Sequence, residues 1–203
     1  MVETGKQAVT ASLPPRYFED VYRANDDPWG FATSPYEREK YAATLAALPR
    51  QTYQNGFEIG CSIGVLTRSL ATRCERLLSV DVVESVLEQA RERNRDLPQV
   101  RFARMVVPEE FPDETFDLVL VSEVGYYWSR DALQAAKARI SAALSPGGHL
   151  LLVHWTPFVH DYPLTGDEVH EAFLDTSDGL ALRHLGGTRA ERYRLDLLER
   201  GAE

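Results

Sequence analysis

Cysteine is nearly missing from this sequence. Only Cys61 and Cys74 occur in 203 residues, and no paired Cys/His spacing accompanies them. A disulfide-stapled scaffold and a zinc module are both excluded, and the two thiols read as reduced side chains of a cytoplasmic protein. Long apolar runs are lacking as well. The N-terminus carries none of signal-peptide length, and no stretch approaches the roughly 20 apolar residues of a membrane span. No membrane partner is therefore expected. Basic clusters are absent too: 22 Lys and Arg stand against 31 Asp and Glu, a net charge of −9. Without a basic track for phosphates, nucleic acid is a poor partner and a neutral or cationic small molecule a better one. No internal repeat or low-complexity linker divides the chain, whose length suits one domain. Oligomeric state is not legible.

What is present is an alternation. Strands are expected at 55–60, 76–81, 100–105, 116–122 and 148–154, and helices at 63–73, 84–95 and 130–144, the last capped by Ser129. The runs Leu118-Val119-Leu120-Val121 and Leu150-Leu151-Leu152-Val153 are continuously apolar, as in strands buried on both faces. Such an order implies an α/β fold with a doubly wound, mostly parallel sheet. Ser145-Pro146-Gly147-Gly148 reads as a turn into the fifth strand. Leu180–Leu185 and Tyr193–Leu197 alternate apolar and polar residues around Gly186-Gly187-Thr188, and read as a closing antiparallel hairpin. Thr165 and Glu168 form a capping box before another helix.

The N-terminal part differs. Residues 1–14 read as a flexible arm and 15–49 as a helical lid, ahead of a catalytic sheet over 50–203. A short helix follows Pro14-Pro15 and breaks at Asp27-Pro28-Trp29-Gly30. A second starts at Ser34, with Pro35 in its first position and Glu37 completing a capping box. It carries Tyr36, Glu37, Lys40 and Tyr41, a poor set for packing, and is expected to cover a ligand.

The chain turns on Glu58-Ile59-Gly60-Cys61-Ser62-Ile63-Gly64. A strand ends in a glycine-edged turn, and a helix opens whose first N–H groups favour an anion. A dinucleotide fingerprint needs glycine at 60, 62 and 65, but Ser62 and Val65 stand there, so a nicotinamide oxidoreductase is not supported. Asp81 ends the next strand, where a carboxylate can accept from both hydroxyls of a ribose or cap the helix after it. E-x-G-x-x-x-G followed by a strand-end Asp resembles the cofactor signature of class I S-adenosylmethionine (SAM) methyltransferases.

A longer match narrows this. Asp27-Pro28-Trp29, Phe31, Thr33-Ser34, Tyr36-Glu37 and Lys40-Tyr41 resemble the N-terminal segment of the nodulation protein S (NodS) family of SAM-dependent N-methyltransferases. Phe116-Asp117-Leu118-Val119, Ser122–Tyr127 and Leu144–Gly148 fit as well. The resemblance covers residues 16 to 153. It implies SAM as cofactor, a Rossmann-like sheet with a helical cap, and an amine acceptor. Family members methylate the free amine of a deacetylated chito-oligosaccharide. Beyond residue 153 the chain departs from that pattern, toward small-molecule methyltransferases associated with sugar deacetylases.

The resemblance also assigns roles. Gly60 and Gly64, with Cys61 between them as a small packing group, are expected against the methionine end of SAM. Glu58 orients that turn or meets the cofactor's amino group. Asp81 and Val82 meet the ribose. Met105 and Val106 form an adenine pocket without the usual acid. Trp29 and Tyr36 cover the cofactor. Glu123, Tyr126 and His154 are the catalytic candidates, with His154 the candidate base. Rival readings are a small-molecule O-methyltransferase, which would require such a base, and a non-catalytic SAM-binding partner protein. No metal is expected.

Overall fold

The computed structural model describes residues 9–201 except 178 and 181. Most of the arm expected at 1–14 lies outside the described residues, as do Ala181 of the expected hairpin and positions 202 and 203. Two helices come first, α1 (Pro15–Ala24) and α2 (Pro35–Ala46). There follow β1 (Gly56–Ile59), α3 (Val65–Leu70), β2 (Leu77–Asp81), α4 (Glu84–Arg93), β3 (Val100–Arg104) and β4 (Phe116–Ser122). The chain closes with α5 (Arg130–Ala143), β5 (Leu144–Trp155), α6 (Gly166–Leu174), β6 (Leu182–Arg189) and β7 (Tyr193–Arg200).

Among the described residues, seven strands form one sheet in the order β3-β2-β1-β4-β5-β7-β6. β1 to β5 run parallel, and β7 is antiparallel to both β5 and β6. The order reverses between β1 and β4, so the loops after these strands diverge and leave a crevice at the carboxyl edge. Alternate side chains of β1 and β4 explain the two cores. Phe57, Ile59, Val119 and Val121 face α5 and α6, whereas Leu118 and Leu120 pack with Leu66 and Leu70 of α3. Leu118 through Val121 are wholly buried, as their unbroken apolar run requires.

Three local readings are corrected. Ser34 accepts from the Glu37 N–H as a cap should, but the Glu37 carboxylate turns to Lys40 instead of closing the box. A buried ammonium is a stronger partner for it than one more backbone amide. Gly186 and Gly187 lie inside β6, where the register slips between His184 and Gly186, and the hairpin reverses after Arg189. A Cβ at Gly187 would sit 2.2 Å from Asp196 Oδ1, so that glycine admits a buried carboxylate instead of making a turn. Ser12 and Leu13, read as arm, are bonded to the site loop: Ser129 N–H donates to Ser12 Oγ and Leu13 N–H to the Tyr127 carbonyl. By contrast, the Thr165/Glu168 capping box and the Ser129 cap form as the sequence implies.

Candidate functional site

A cavity of about 710 Å³ opens at the carboxyl edge of β1, β2 and β4. Its floor comes from Gly60 and Ser62 after β1, Asp81 and Val82 at the end of β2, and Met105 and Val106 after β3. Glu123 and Tyr126, after β4, form one wall, and Trp29, Tyr36 and Lys40 of the N-terminal segment form the roof. Nine of the residues expected at the site therefore share one cavity.

The floor is held by its own backbone. Gly60 takes φ +83, and a Cβ there would come within 2.1 Å of Val124 Cγ1. Ser62 is left-handed at φ 48, an uncommon state for a residue with a side chain. Two bonds hold it there: its N–H donates to Asp81 Oδ2 at 2.9 Å, and Tyr22 of α1 meets its Oγ at 2.5 Å. Asp81 also accepts from the Val83 N–H through Oδ1 at 3.1 Å and is bonded by the Val82 amide, which leaves the carboxylate capacity for a further donor. Burial raises its pKa to about 6 against these backbone bonds.

The wall carries a charge network. Lys40 Nζ is 2.6 Å from Glu123 Oε1, across 83 positions of sequence, and 3.0 Å from Glu37 Oε1. Only 2% of the lysine is exposed. The other oxygen of Glu123 accepts from Tyr126 Oη at 2.6 Å and from the Trp155 N–H at 2.9 Å. Glu123 itself is left-handed at φ 58. The Tyr126 ring stacks on Tyr162 at 5.2 Å and meets His154 edge-on. Burial first, then the adjacent Glu123, holds the Tyr126 hydroxyl well above its ordinary range, so it serves as a donor.

Four expected residues do not reach this cavity. Glu58 lies behind the turn, 1% exposed, and accepts from Thr67 Oγ1 at 2.6 Å and Ser79 Oγ at 2.7 Å. It ties β1, β2 and α3 together, and burial raises it to about 7. Cys61 is buried, its N–H given to the Val80 carbonyl and its thiol pushed well up by burial. Gly64 caps α3 at φ 74, where a Cβ would meet Ala90 of α4 and the Asn94 that caps it; it seats one helix on the other.

His154 is the larger correction. It is fully buried, and its Nε2 accepts from the Gly125 N–H at 3.1 Å. That fixes the proton on Nδ1, which faces His170 Nε2 at 3.1 Å, and His170 Nδ1 in turn faces Asp196 Oδ2 at 2.7 Å. Every ring nitrogen is spent. Burial and the neighbouring His170 depress its pKa well below the usual imidazole value. The ring is a relay beneath the loop, not a base facing the cavity.

Sequence reasoning left Glu37 and Lys40 out of the site proper, assigning them only to a covering face. The available signal was Glu and Lys three apart on a helix with too few apolar residues to bury anything else. Tyr22, Ser62, Trp155 and Tyr162 were also missed; each acts through a contact distant in sequence.

The profile of the family described as Nodulation protein S (NodS) matches residues 19–154. The nodulation protein S of Rhizobium tropici is 35% identical over 130 residues, which make up 63% of this chain and 55% of that protein. The chain thus spans little more than half of that relative. Among solved structures, N-methyltransferase NodS from Bradyrhizobium japonicum in complex with S-adenosyl-L-homocysteine superposes with a TM-score of 0.80 at 26% identity. The match covers 91% of this chain and 98% of that one. A putative methyltransferase from Pseudomonas syringae gives a TM-score of 0.70 at 38% identity, over 81% and 99%. The sheet is that of the class I methyltransferases, and the chain belongs to the nodulation protein S family.

Proposed function

We propose that this protein transfers a methyl group from S-adenosylmethionine to the amine of a small molecule, an amino sugar or a deacetylated chito-oligosaccharide. The observation that carries the reading is the meeting of Gly60, Asp81 and Met105 in one cavity roofed by Trp29 and Tyr36. The residues suit the cofactor. Gly60 takes the left-handed turn that brings backbone to the cavity floor, and the Asp81 carboxylate beside it retains accepting capacity for a ribose hydroxyl. Met105 and Val106 offer an apolar slot for a purine, and the aromatic wall suits a sulfonium. When bound, the cofactor supplies an already activated methyl. The chain's own task is then to align an acceptor nitrogen in a site closed to water. The complex of the Bradyrhizobium N-methyltransferase with S-adenosylhomocysteine supports both the cofactor and the amine. The O-methyl alternative loses support, because His154 has no lone pair to offer a hydroxyl proton.

The reading is tested by titrating SAM, S-adenosylhomocysteine and NAD by calorimetry, then screening amines by mass shift. Binding of the first two without NAD, and a 14-dalton gain on an amine, are expected. NAD binding without SAM would overturn the assignment.

A further inference from the structure

The Glu37–Lys40–Glu123 cluster is one positive charge short of neutral. Two carboxylates and a single ammonium meet at the cavity, Glu37 at 7% exposure and Lys40 at 2%, with Glu123 half-buried beside them. The partners of Glu123 are fully allotted: Lys40 on Oε1, Tyr126 and the Trp155 amide on Oε2. Those of Glu37 are not. Oε1 accepts from Lys40, whereas Oε2 is buried, ion-paired at 2.9 Å with the same ammonium but without a well-aligned hydrogen bond, and the Tyr41 hydroxyl is the carboxylate's other near donor. Tyr36 Oη, also buried, has no hydrogen-bond partner. A buried polar atom short of a well-aligned partner costs about 1–3 kcal/mol, and Glu37 and Tyr36 are both residues of the cavity lining.

A sulfonium would correct the charge but has no proton to give, so it leaves Glu37 Oε2 unsatisfied. An ammonium supplies both the charge and the hydrogen. We infer that Glu37 is the anchor for the acceptor's primary ammonium group and receives its proton before methyl transfer, with Tyr36 Oη as a second contact. The inference rests on the methyltransferase reading and deepens it. In the proton step one N–H bond of R–NH3+ breaks and an O–H bond forms on Glu37, leaving R–NH2 with a free lone pair and a neutral carboxylic acid. Other groups near Glu37 are Lys40, Tyr36 and Tyr41 on α2 and Glu123 on the far side of the Lys40 ammonium. Burial raises the Glu37 carboxyl above its ordinary range despite Lys40, the direction that suits a proton acceptor. The other titratable groups of the wall do not compete: Glu123 is saturated, Tyr126 already donates to it, and His154 lies outside the cavity.

The test uses protein saturated with S-adenosylhomocysteine. Glucosamine, deacetylated chitotetraose and ethanolamine are titrated by calorimetry, with glucose and N-acetylglucosamine as uncharged controls. The amines should bind and the controls should not. Glu37→Gln should weaken the amines by about tenfold or more, the scale of a lost charge-assisted hydrogen bond, while keeping its affinity for S-adenosylhomocysteine, which also reports that it is folded. Glu37→Asp should recover part of the loss. In turnover, the wild type should stay level with pH below the titration of the amine, where Glu37→Gln should fall about tenfold per unit as free amine disappears. Unchanged amine affinity or an unchanged pH profile in Glu37→Gln would overturn the inference, as would amines that bind no better than glucose. Failure to bind S-adenosylhomocysteine would instead overturn the methyltransferase reading, and this inference with it.

Discussion

The Gly125 amide and the His154 ring are joined at 3.1 Å, and through His170 that bond connects to Asp196 on β7. Asp196 also gathers His184 at 2.7 Å and Arg194 at 2.7 Å. The C-terminal hairpin is thereby wired to the loop that carries Tyr126.

That wiring sets a dependence on acid. His154 and His170 are both depressed in the folded state, mainly by burial. The unfolded chain binds more protons than the folded one just below the ordinary histidine value of about 6.5, so stability rises with pH there. Their contribution is complete above that value and is lost as pH falls through it. The melting temperature of His154→Gln should lie below the wild type at pH 8 and approach it by pH 5. A constant gap across that range would show that His154 does not gain a proton on unfolding. Methyl transfer should persist in the folded variant.

Glu58 runs the other way. Its folded value of about 7 lies above the ordinary glutamate value of about 4.3. The folded state therefore holds the extra proton across that window, and stability declines as pH rises through it. Glu58→Gln keeps an oxygen for Thr67 or Ser79 and removes the slope. Relative to wild type it should gain stability between pH 5 and pH 8, read as the difference between two melting curves. A parallel pair of curves would mean that Glu58 is already charged at pH 5.

Lys40 is ion-paired with two carboxylates at once, the buried Glu37 and the half-buried Glu123. Lys40→Met should cost about 3–5 kcal/mol in urea unfolding, the usual consequence of stranding buried charge. Adding Glu123→Gln should return part of that loss, since one stranded charge is gone. Additive losses would show that the two residues are not coupled.

Asp81→Ala should weaken SAM by about 1–3 kcal/mol in calorimetry, the cost of leaving polar groups unpaired. The same change frees the Ser62 and Val83 amides, so Asp81→Asn is the better reading of the ribose contact alone. Unchanged affinity in both would reduce Asp81 to a support for the turn.

Tyr36 packs edge-on against Trp155 and Tyr193, and its hydroxyl is raised to about 12 by burial. Tyr36→Ala should leave the unliganded melting temperature within a few degrees but reduce the increase that SAM produces. An equal increase in both proteins would mean that α2 does not cover the cofactor.

The sheet was readable because its strands obey rules local to a few residues. The run Leu118–Val121 can be buried only on both faces, and Gly60 with Asp81 announces a turn and a strand end. The site's charges were not readable in the same way. Glu123 was chosen for its place after a strand, but its partner Lys40 lies 83 positions away, and no period links them. His154 was chosen as a polar residue at a strand end on the correct edge. Whether such a ring faces the cavity or the layer beneath it depends on Gly125 and His170, which only the packing of α6 brings near. Gly186-Gly187 misled for a related reason: the space Gly187 leaves is filled by Asp196 of the neighbouring strand.

The contact between Gly60 and Val124 has a consequence for how related chains can diverge. Enlarging Gly60 is blocked twice, by its backbone angle and by the Val124 methyl 2.1 Å from where a Cβ would stand. Shrinking Val124 lifts only one of these barriers. The constraint therefore runs one way: a smaller side chain at position 124 leaves the turn unstrained and widens the cavity floor at the cost of core packing, while position 60 stays fixed. Variation in cofactor fit within the family should then be recorded at the residue after Glu123 and not in the glycine turn.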